Sequence, residues 1–234
     1  MKSSVDDIRA RFDNDVDRFS NLSVAQQTAI DSALCLDLIA DGAAGASPGA
    51  TAILDVGCGA GNWTLKLLGK LPGLSCTLID LSRPMLDRAR ERVSAAGAKR
   101  VEIVQEDVRT SDFADRSFDL IVAGAVLHHL RTDAEWDDVF ARFHRWLRPG
   151  GSVWVYDLMT HESSAVHELL WRQYGDYLRQ IGGDALAEKV FAYIDEEDTP
   201  RPVTWQLDRL RMAGFTTADV LHKNGPFAAY AAFK

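Results

Sequence analysis

Apolar residues near the start of the chain recur at steps of three and four, which is the spacing of an amphipathic helix. This pattern predicts one helix over residues 4–19 and a second helix over residues 24–39. The small residues of 41–49, which include a proline and three glycines, predict a linker after the second helix.

After residue 50 the pattern changes to short apolar runs that alternate with helical stretches. Strands are predicted at 52–56, 76–79, 101–104, 120–123 and 152–156, with helices near 61–70, 83–96 and 132–147. Alternation at this spacing is typical of βαβ units, which place their strands in a parallel sheet with right-handed connections.

The last third of the chain departs from that alternation. Residues 161–195 predict two successive helices, and a further helix follows at 203–213. Two final strands, 215–221 and 227–233, are joined by so short a turn that they must be antiparallel. The predicted fold class is therefore α/β, with a doubly wound, mostly parallel sheet of seven strands, an antiparallel C-terminal strand pair and helices on both faces.

Composition limits the function classes that this fold can serve. The chain has 234 residues, 47% of them hydrophobic, which suits one large domain. Its net charge of −8 disfavours a nucleic-acid partner. Three widely spaced cysteines indicate neither a disulfide framework nor a zinc site. An acidic N-terminus and short apolar runs predict no signal peptide and no membrane association, so the expected location is cytoplasmic.

The strongest local motif is the glycine-rich stretch Ile53-Leu-Asp-Val-Gly-Cys-Gly-Ala-Gly-Asn62, which lies between a predicted strand and a predicted helix. Glycines let the backbone approach a ligand, and a helix N-terminus offers free N–H groups. A tight turn without any ligand is the alternative interpretation. A dinucleotide site is disfavoured, because Asn62 stands where that fingerprint has its third glycine.

Acidic residues follow several predicted strands. Asp80 lies about 20 residues after the glycine turn, where a carboxylate accepts hydrogen bonds from ribose hydroxyls. It could instead cap the next helix, but Ser82 is better placed for capping. Asp55, Asp107 and Asp157 also stand at predicted strand ends, so all four acids are expected to converge on one crevice.

These motifs, in this order, resemble the class I S-adenosylmethionine-dependent methyltransferases of the bacterial small-molecule type. The resemblance rests on the glycine turn, Asp80-Leu-Ser, Glu106-Asp-Val, Phe118-Asp-Leu-Ile-Val, Leu127-His-His-Leu130 and Leu147-Arg-Pro-Gly-Gly-Ser152. It implies a Rossmann-like fold, S-adenosylmethionine as cofactor and methyl transfer to a small-molecule acceptor. It also divides a single domain into an N-terminal helical cap (1–45), a cofactor-binding core (50–157), a helical insertion or lid (158–200) and a C-terminal helix with the strand pair (203–234).

The resemblance further implies a role for each cofactor-binding position. Asp80 would hold the ribose hydroxyls, and Leu81 would lie beside the adenine. Asp107 would accept from the adenine amino group, and Val108 would cover the ring edge. The remaining positions would surround the methionine part of the cofactor, with Gly57, Gly59 and Gly61 beneath it, Asp55 near its amino group and Ala123 on the far side.

Two adjacent histidines, His128 and His129, follow the fourth predicted strand, where an acceptor would lie. His128 is the candidate catalytic base, since imidazole titrates near neutral pH. No metal is predicted, because no partner ligands stand near the pair in the sequence. Residues 158–199 carry nine acids and three bases, and this excess of negative charge favours a small acceptor over nucleic acid.

Two alternatives remain open from the sequence. One is a tRNA wobble-uridine carboxymethyltransferase-like enzyme, in which Arg11 or Arg18 would supply a cation, although the acidic insertion argues against tRNA. The other is a non-catalytic methyltransferase-like binding module, against which the intact glycines and Asp80 speak. The acceptor and the oligomeric state, a homodimer included, are left open.

Overall fold

A computed structural model describes residues 2–14, 16, 20 and 27–234. Its strands are β1 (Ala52–Val56), β2 (Ser75–Asp80), β3 (Arg100–Gln105), β4 (Phe118–Gly124), β5 (Leu147–Leu158), β6 (Thr217–Asn224) and β7 (Phe227–Phe233). The α-helices within these residues are α1 (Val5–Asp13), α2 (Ser32–Ala46), α3 (Asn62–Leu68), α4 (Arg83–Ala95), α5 (Asp133–Trp146), α6 (Ser164–Glu197) and α7 (Val203–Met212).

The seven strands form one sheet in the order β3-β2-β1-β4-β5-β7-β6. Strands β1 to β5 are parallel, and β7 runs antiparallel between β5 and β6. At the carboxyl ends Val56 lies opposite Ile79 on one side and Ala123 on the other. This topology confirms the predicted fold class. It also brings the residues that follow β1, β2, β3 and β4 to one edge of the sheet.

Helices cover both faces of the sheet, and each face has its own apolar core. On one face Ile53 and Trp154 pack among buried residues of α2, α3, α4 and α6. On the other face Leu54 and Val153 pack against α5, including Phe140, and against α7. Burial on both faces explains why the strands read as continuous apolar runs in the sequence.

The second helix differs from the prediction. Residues 24–26 lie outside the described residues, 27–31 form turns, and α2 begins at Ser32 and continues to Ala46 through most of the predicted linker. The small residues serve close packing, because Ala43 is fully buried and a Cβ on Gly42 would stand 2.6 Å from the Trp154 ring. A small-residue run at a tight helix–sheet contact thus gave the appearance of a linker.

Other differences concern the ends of elements. Of the predicted first helix, α1 extends over Val5–Asp13, and Phe19 lies outside the described residues. Strand β5 begins at Leu147, five residues before the predicted start. The insertion forms α6, whose backbone breaks at Gly183 with φ 76°, between the two helices predicted there.

We predict that two glycines of α2 respond oppositely to alanine. Gly42→Ala places a methyl group against Trp154 and lowers the free energy of unfolding by about 1–3 kcal/mol. Gly45→Ala is the matched control, since nothing lies within 4 Å of its Cβ position and alanine favours helix by up to about 1 kcal/mol. Urea unfolding measures both, and equal responses would show that this segment is not a packed helix.

Candidate active site

The glycine turn after β1 needs backbone angles that other residues rarely adopt. Gly57, Gly59 and Gly61 have φ of 63°, 49° and 81°. A Cβ on Gly57 would also stand 2.4 Å from the Val126 side chain. The turn therefore requires glycine on conformational grounds, and its backbone forms part of an open cavity wall.

Asp80 at the end of β2 fixes this turn. Its carboxylate accepts a hydrogen bond from the Gly59 N–H at 2.9 Å and another from the Ser82 N–H at 2.9 Å. The Ser82 hydroxyl accepts from the Met85 N–H and caps α4, as the sequence predicts. Burial raises the pKa of Asp80 above its ordinary value. Asp80 is thus free of helix capping and faces the cavity.

The cavity lies at the carboxyl ends of β1 to β4. Predicted site residues on its wall are Gly57, Gly59, Asp80, Leu81, Asp107 and Val108. Ile8 and Phe12 of α1 also line it, together with His129 in the loop after β4 and Tyr156 in β5. The site combines apolar surfaces with the carboxylates of Asp80 and Asp107, and small-molecule sites commonly pair apolar walls with a few polar groups.

Asp107 is held by an arginine that the sequence analysis did not identify. Arg109 donates from Nε to both carboxylate oxygens at 3.0 Å, and its other end reaches Glu135 at 3.2 Å. Burial alone would raise the pKa of Asp107, but the hydrogen bonds and charge of Arg109 lower it below the ordinary value. Asp107 is therefore an ionised, oriented acceptor at the cavity wall.

The structure does not bring every predicted residue to the cavity wall. Asp55 is fully buried beneath it, where its carboxylate accepts from the Thr64 hydroxyl at 2.7 Å, and burial raises its pKa to about 7. Gly61, Ala123 and His128 are also absent from the wall. The expected convergence of four acids is thus partial, since Asp80 and Asp107 face the cavity while Asp55 and Asp157 lie behind it.

The histidine pair forms a short 3₁₀ turn in which the two rings face different ways. His128 is bound by Asp157, both through its Nδ1 and through its backbone N–H at 3.1 Å. Its burial opposes protonation, but Asp157 and Asp198 outweigh this and raise its pKa to about 9. His129 faces the cavity, and burial together with the neighbouring His128 lowers its pKa. The residue that reaches the cavity is therefore His129 and not the predicted His128.

Asp198, just after α6, completes this cluster. Its Oδ1 lies 3.3 Å from His129 Nδ1 and 3.7 Å from His128 Nε2. Thr199 then fastens the chain, because its N–H donates to the His128 carbonyl at 2.7 Å. No sequence motif singles out Asp198, which stands 69 residues beyond His129 in a run of acids.

The N-terminal segment is docked on the end of α6. Arg11 pairs with the fully buried Glu197 at 2.6 Å and lies over the Tyr193 ring. The Ser3 hydroxyl donates to the same carboxylate, and Lys2 donates to the Asp195 carbonyl at 2.6 Å. These contacts use the Arg11 side chain to hold α1 against the end of α6, next to the cavity.

Insertion α6 supports the cavity without lining it. The hydroxyls of Tyr174 and Tyr177 donate to the carbonyls of Thr28 and Gln27, each at 2.8 Å. Tyr156 of β5 does the same for Ile30 at 2.7 Å. These bonds pin the turns before α2, and Ala29 in those turns lies on the cavity wall.

Comparison with known proteins decides the family. A family model described as a methyltransferase domain matches residues 53–151. Carboxy-S-adenosyl-L-methionine synthase from Shewanella amazonensis is 32% identical over 193 residues, which cover 80% of this chain and 77% of that protein. The chain belongs to the class I S-adenosylmethionine-dependent methyltransferases.

Further comparisons agree with this membership. Demethylmenaquinone methyltransferase from Lactococcus lactis is 28% identical, over 78% of this chain and 73% of that protein. An O-methyltransferase family protein from Burkholderia thailandensis shares the fold with a TM-score of 0.67 at 18% identity, over 96% of this chain and 62% of that one. Human N-acetylserotonin methyltransferase, solved with S-adenosylmethionine, shares the fold with a TM-score of 0.61 at 16% identity. The match covers 97% of this chain and 56% of that one.

Family membership settles the class of enzyme and its cofactor. The protein is an S-adenosylmethionine-dependent methyltransferase, as the resemblance implied. The carboxymethyltransferase and non-catalytic alternatives are not favoured. The carboxymethyltransferase alternative assigned a cationic role to Arg11 or Arg18. Arg11 is bound to Glu197, and Arg18 lies outside the described residues. Within the described residues no helix is both long enough and apolar enough to span a membrane.

We predict that Arg11→Met loosens α1, because it strips the buried Glu197 of its charged partner. The expected loss in free energy of unfolding is roughly 1–3 kcal/mol, since Arg11 is itself partly exposed and a fully buried pair would cost more. Amide hydrogen exchange over residues 5–13 should become faster. Arg9→Met is the control on the same helix, because the ion-pair partner of Arg9 within the described residues is the exposed Asp6. If the two variants exchange alike, the Glu197 contact does not hold the helix.

Proposed function

We propose that the cavity binds S-adenosylmethionine with its ribose on Asp80 and that the acceptor is a small molecule bound between α1 and His129. The observation that carries the proposal is the position of Asp80. Its carboxylate is fixed by two backbone N–H groups and still faces the cavity. An oriented carboxylate at the cavity wall is the group that a vicinal diol would bind.

The residues at the cavity fit the cofactor along its length. The turn at Gly57 and Gly59 presents backbone without side chains where the methionine part would lie. Leu81 and Val108 give apolar surfaces for the adenine, and Asp107 gives an acceptor for its amino group. Arg109 fixes the direction in which that carboxylate points.

Three predicted positions act from behind the wall in this proposal. Asp55 binds Thr64 and so fixes the first turn of α3, next to the methionine part of the site. Gly61 lets α3 and α4 approach, since a Cβ there would stand 3.1 Å from Val93. Ala123 is fully buried in β4 and supports Gly124, which is on the wall.

The reaction needs placement more than acid–base chemistry. The cofactor supplies a methyl group on a sulfonium, which is already an activated electrophile. The chain's task is to hold the acceptor atom in line with that methyl group and to exclude water. Ile8 and Phe12 perform the exclusion by covering the cavity, and the Arg11–Glu197 pair keeps their helix in place. The insertion α6 is a lid in this sense, because it holds α1 and the turns at 27–31.

Several observations support a small acceptor. Ile8 and Phe12 of α1 add apolar surface to the wall of the cofactor cavity. Acids outnumber bases nine to three over residues 158–199, which disfavours a phosphate backbone. The relatives compared above are named for small-molecule chemistry. A homodimer stays a prediction.

We predict that Asp80→Ala weakens binding of S-adenosylhomocysteine by at least about 100-fold, because two ribose hydroxyls lose their charged acceptor. Each hydrogen bond from a ribose hydroxyl to a charged acceptor is worth roughly 1.5–3 kcal/mol. Calorimetric titration measures the affinity, and circular dichroism confirms folding. Asp219→Ala is the control, an exposed acid on β6. Unchanged affinity in a folded Asp80→Ala protein would show that Asp80 does not bind the ribose.

The acceptor class is tested by incubating the enzyme with methyl-labelled S-adenosylmethionine and fractions of a bacterial extract. We expect label to enter the small-molecule fraction, because the exposed acids of the insertion disfavour a phosphate backbone. Label that enters only RNA or protein would contradict the proposal. Mass spectrometry of the cofactor itself checks for the activity named for the Shewanella relative, in which case a carboxylated cofactor would accumulate without any methylated product.

A further inference from the structure

We infer that His128, His129 and Asp198 form a binding site for a divalent transition-metal ion at the acceptor side of the cavity. The inference goes beyond the proposed function, and only the role given below to an acceptor oxygen rests on it. The three side chains come from two distant parts of the chain, the loop after β4 and the end of α6. They meet because Thr199 is hydrogen-bonded to the backbone of His128.

The candidate ligand atoms of the two histidines and of Asp198 lie close together. One nitrogen of each histidine and one oxygen of Asp198 lie within 4.8 Å of each other. His129 Nδ1 and Asp198 Oδ1 are both buried and lie 3.3 Å apart, and neither atom has a further hydrogen-bond partner among the described residues. Buried polar atoms without partners are costly, and a shared cation at their centre would satisfy them together.

The surroundings of His128 match those of a metal ligand. Asp157 engages Nδ1 of its ring, which leaves Nε2 directed towards Asp198. Metal-binding histidines commonly use the second ring nitrogen to bind a carboxylate, which fixes the ring and raises the basicity of the ligating nitrogen. Asp157 is itself fully buried and also accepts from the His128 N–H, so the ring has little freedom to turn.

Two imidazoles and one carboxylate indicate the kind of ion. Imidazole nitrogen suits zinc, iron, nickel and copper, whereas calcium and magnesium prefer sets made of oxygen alone. Three protein ligands leave at least one coordination position for water or substrate. Because His129 lies on the cavity wall, that open position falls at the acceptor side. The ligand class that fits it is an acceptor with a hydroxyl, enol or carboxylate oxygen, which the ion would bind and orient.

Two cationic side chains near the cluster could compete with a metal ion for its carboxylates. Lys2 hydrogen-bonds the Asp198 carbonyl, and Arg131 hydrogen-bonds the Glu197 carbonyl, so two cations stand close by. Neither is salt-bridged to Asp157 or Asp198 in the described residues, where the partners of these two carboxylates are the histidines themselves. A dication would replace the proton of the His128 imidazole, which is paired with Asp157 and Asp198.

The test is metal binding by the full-length chain after treatment with a chelator. We expect one equivalent of Zn²⁺ by calorimetry, and with Co²⁺ a visible absorption band of a low-coordinate nitrogen and oxygen site. Asp198→Asn and His129→Gln should abolish both signals. Asp157→Asn should weaken binding by roughly 10- to 100-fold, as the loss of a carboxylate behind a ligating histidine does. Asp195→Asn is the matched control, an exposed acid three residues from Asp198.

The outcomes separate this inference from the proposed function. Binding of S-adenosylhomocysteine is measured on the same samples without metal. If the cofactor analogue binds but neither metal binds, or if His129→Gln and Asp198→Asn bind metal as the parent does, the metal site is overturned and the methyltransferase proposal stands. If metal binds and the cofactor analogue does not, the metal site stands and the proposed cofactor site is overturned. His129→Gln keeps the test decisive should Asp198→Asn fail to fold, because the His129 side chain is the more exposed of the two.

Discussion

The carboxylate of Asp80 is the contact on which the cofactor half of this enzyme depends. One oxygen binds the Gly59 N–H of the glycine turn and the other binds the Ser82 N–H at the start of α4. A single side chain thereby ties the loop after β1 to the loop after β2, where both leave the sheet. The turn alone would not be rigid, since glycine is the residue that loses most conformational freedom on folding. The preorganised wall is what lets a sulfonium cofactor be positioned without further chemistry from the protein.

Most of the sheet and the glycine turn could be predicted because their signals are local. Strands β1 and β7 have the predicted bounds, and the remaining strands lie where short apolar runs predicted them. The departure at α2 has a packing cause, since small residues at 41–46 permit contact with Trp154, and composition cannot distinguish that use from a linker. Arg109 and Asp198 could not be predicted either, because each acquires its role from residues far away in sequence.

Not all acids of the insertion contribute to its surface charge. Two of its nine acids, Glu197 and Asp198, are buried, so they add nothing to a repulsive surface. Glu197 instead fixes α1 through Arg11, and Asp198 faces the histidine pair. The end of α6 thus connects the helix that covers the cavity with the residues at its acceptor side. The argument from charge against nucleic acid therefore rests on the seven other acids of the insertion.

Cofactor binding and acceptor choice depend on different kinds of structure in this fold. The cofactor wall is made by loops that leave the central strands, whose burial in two apolar cores keeps them rigid. The acceptor side that we propose is bounded by α1 and the turns at 27–31, which are held by a few side-chain contacts, among them Arg11–Glu197 and the tyrosine hydroxyls of α6. Substitutions in those contacts can reshape the acceptor pocket while Asp80 and the glycine turn keep their positions. A change of acceptor therefore requires no change in the cofactor site, which explains why the sequence identifies the cofactor and leaves the acceptor unnamed.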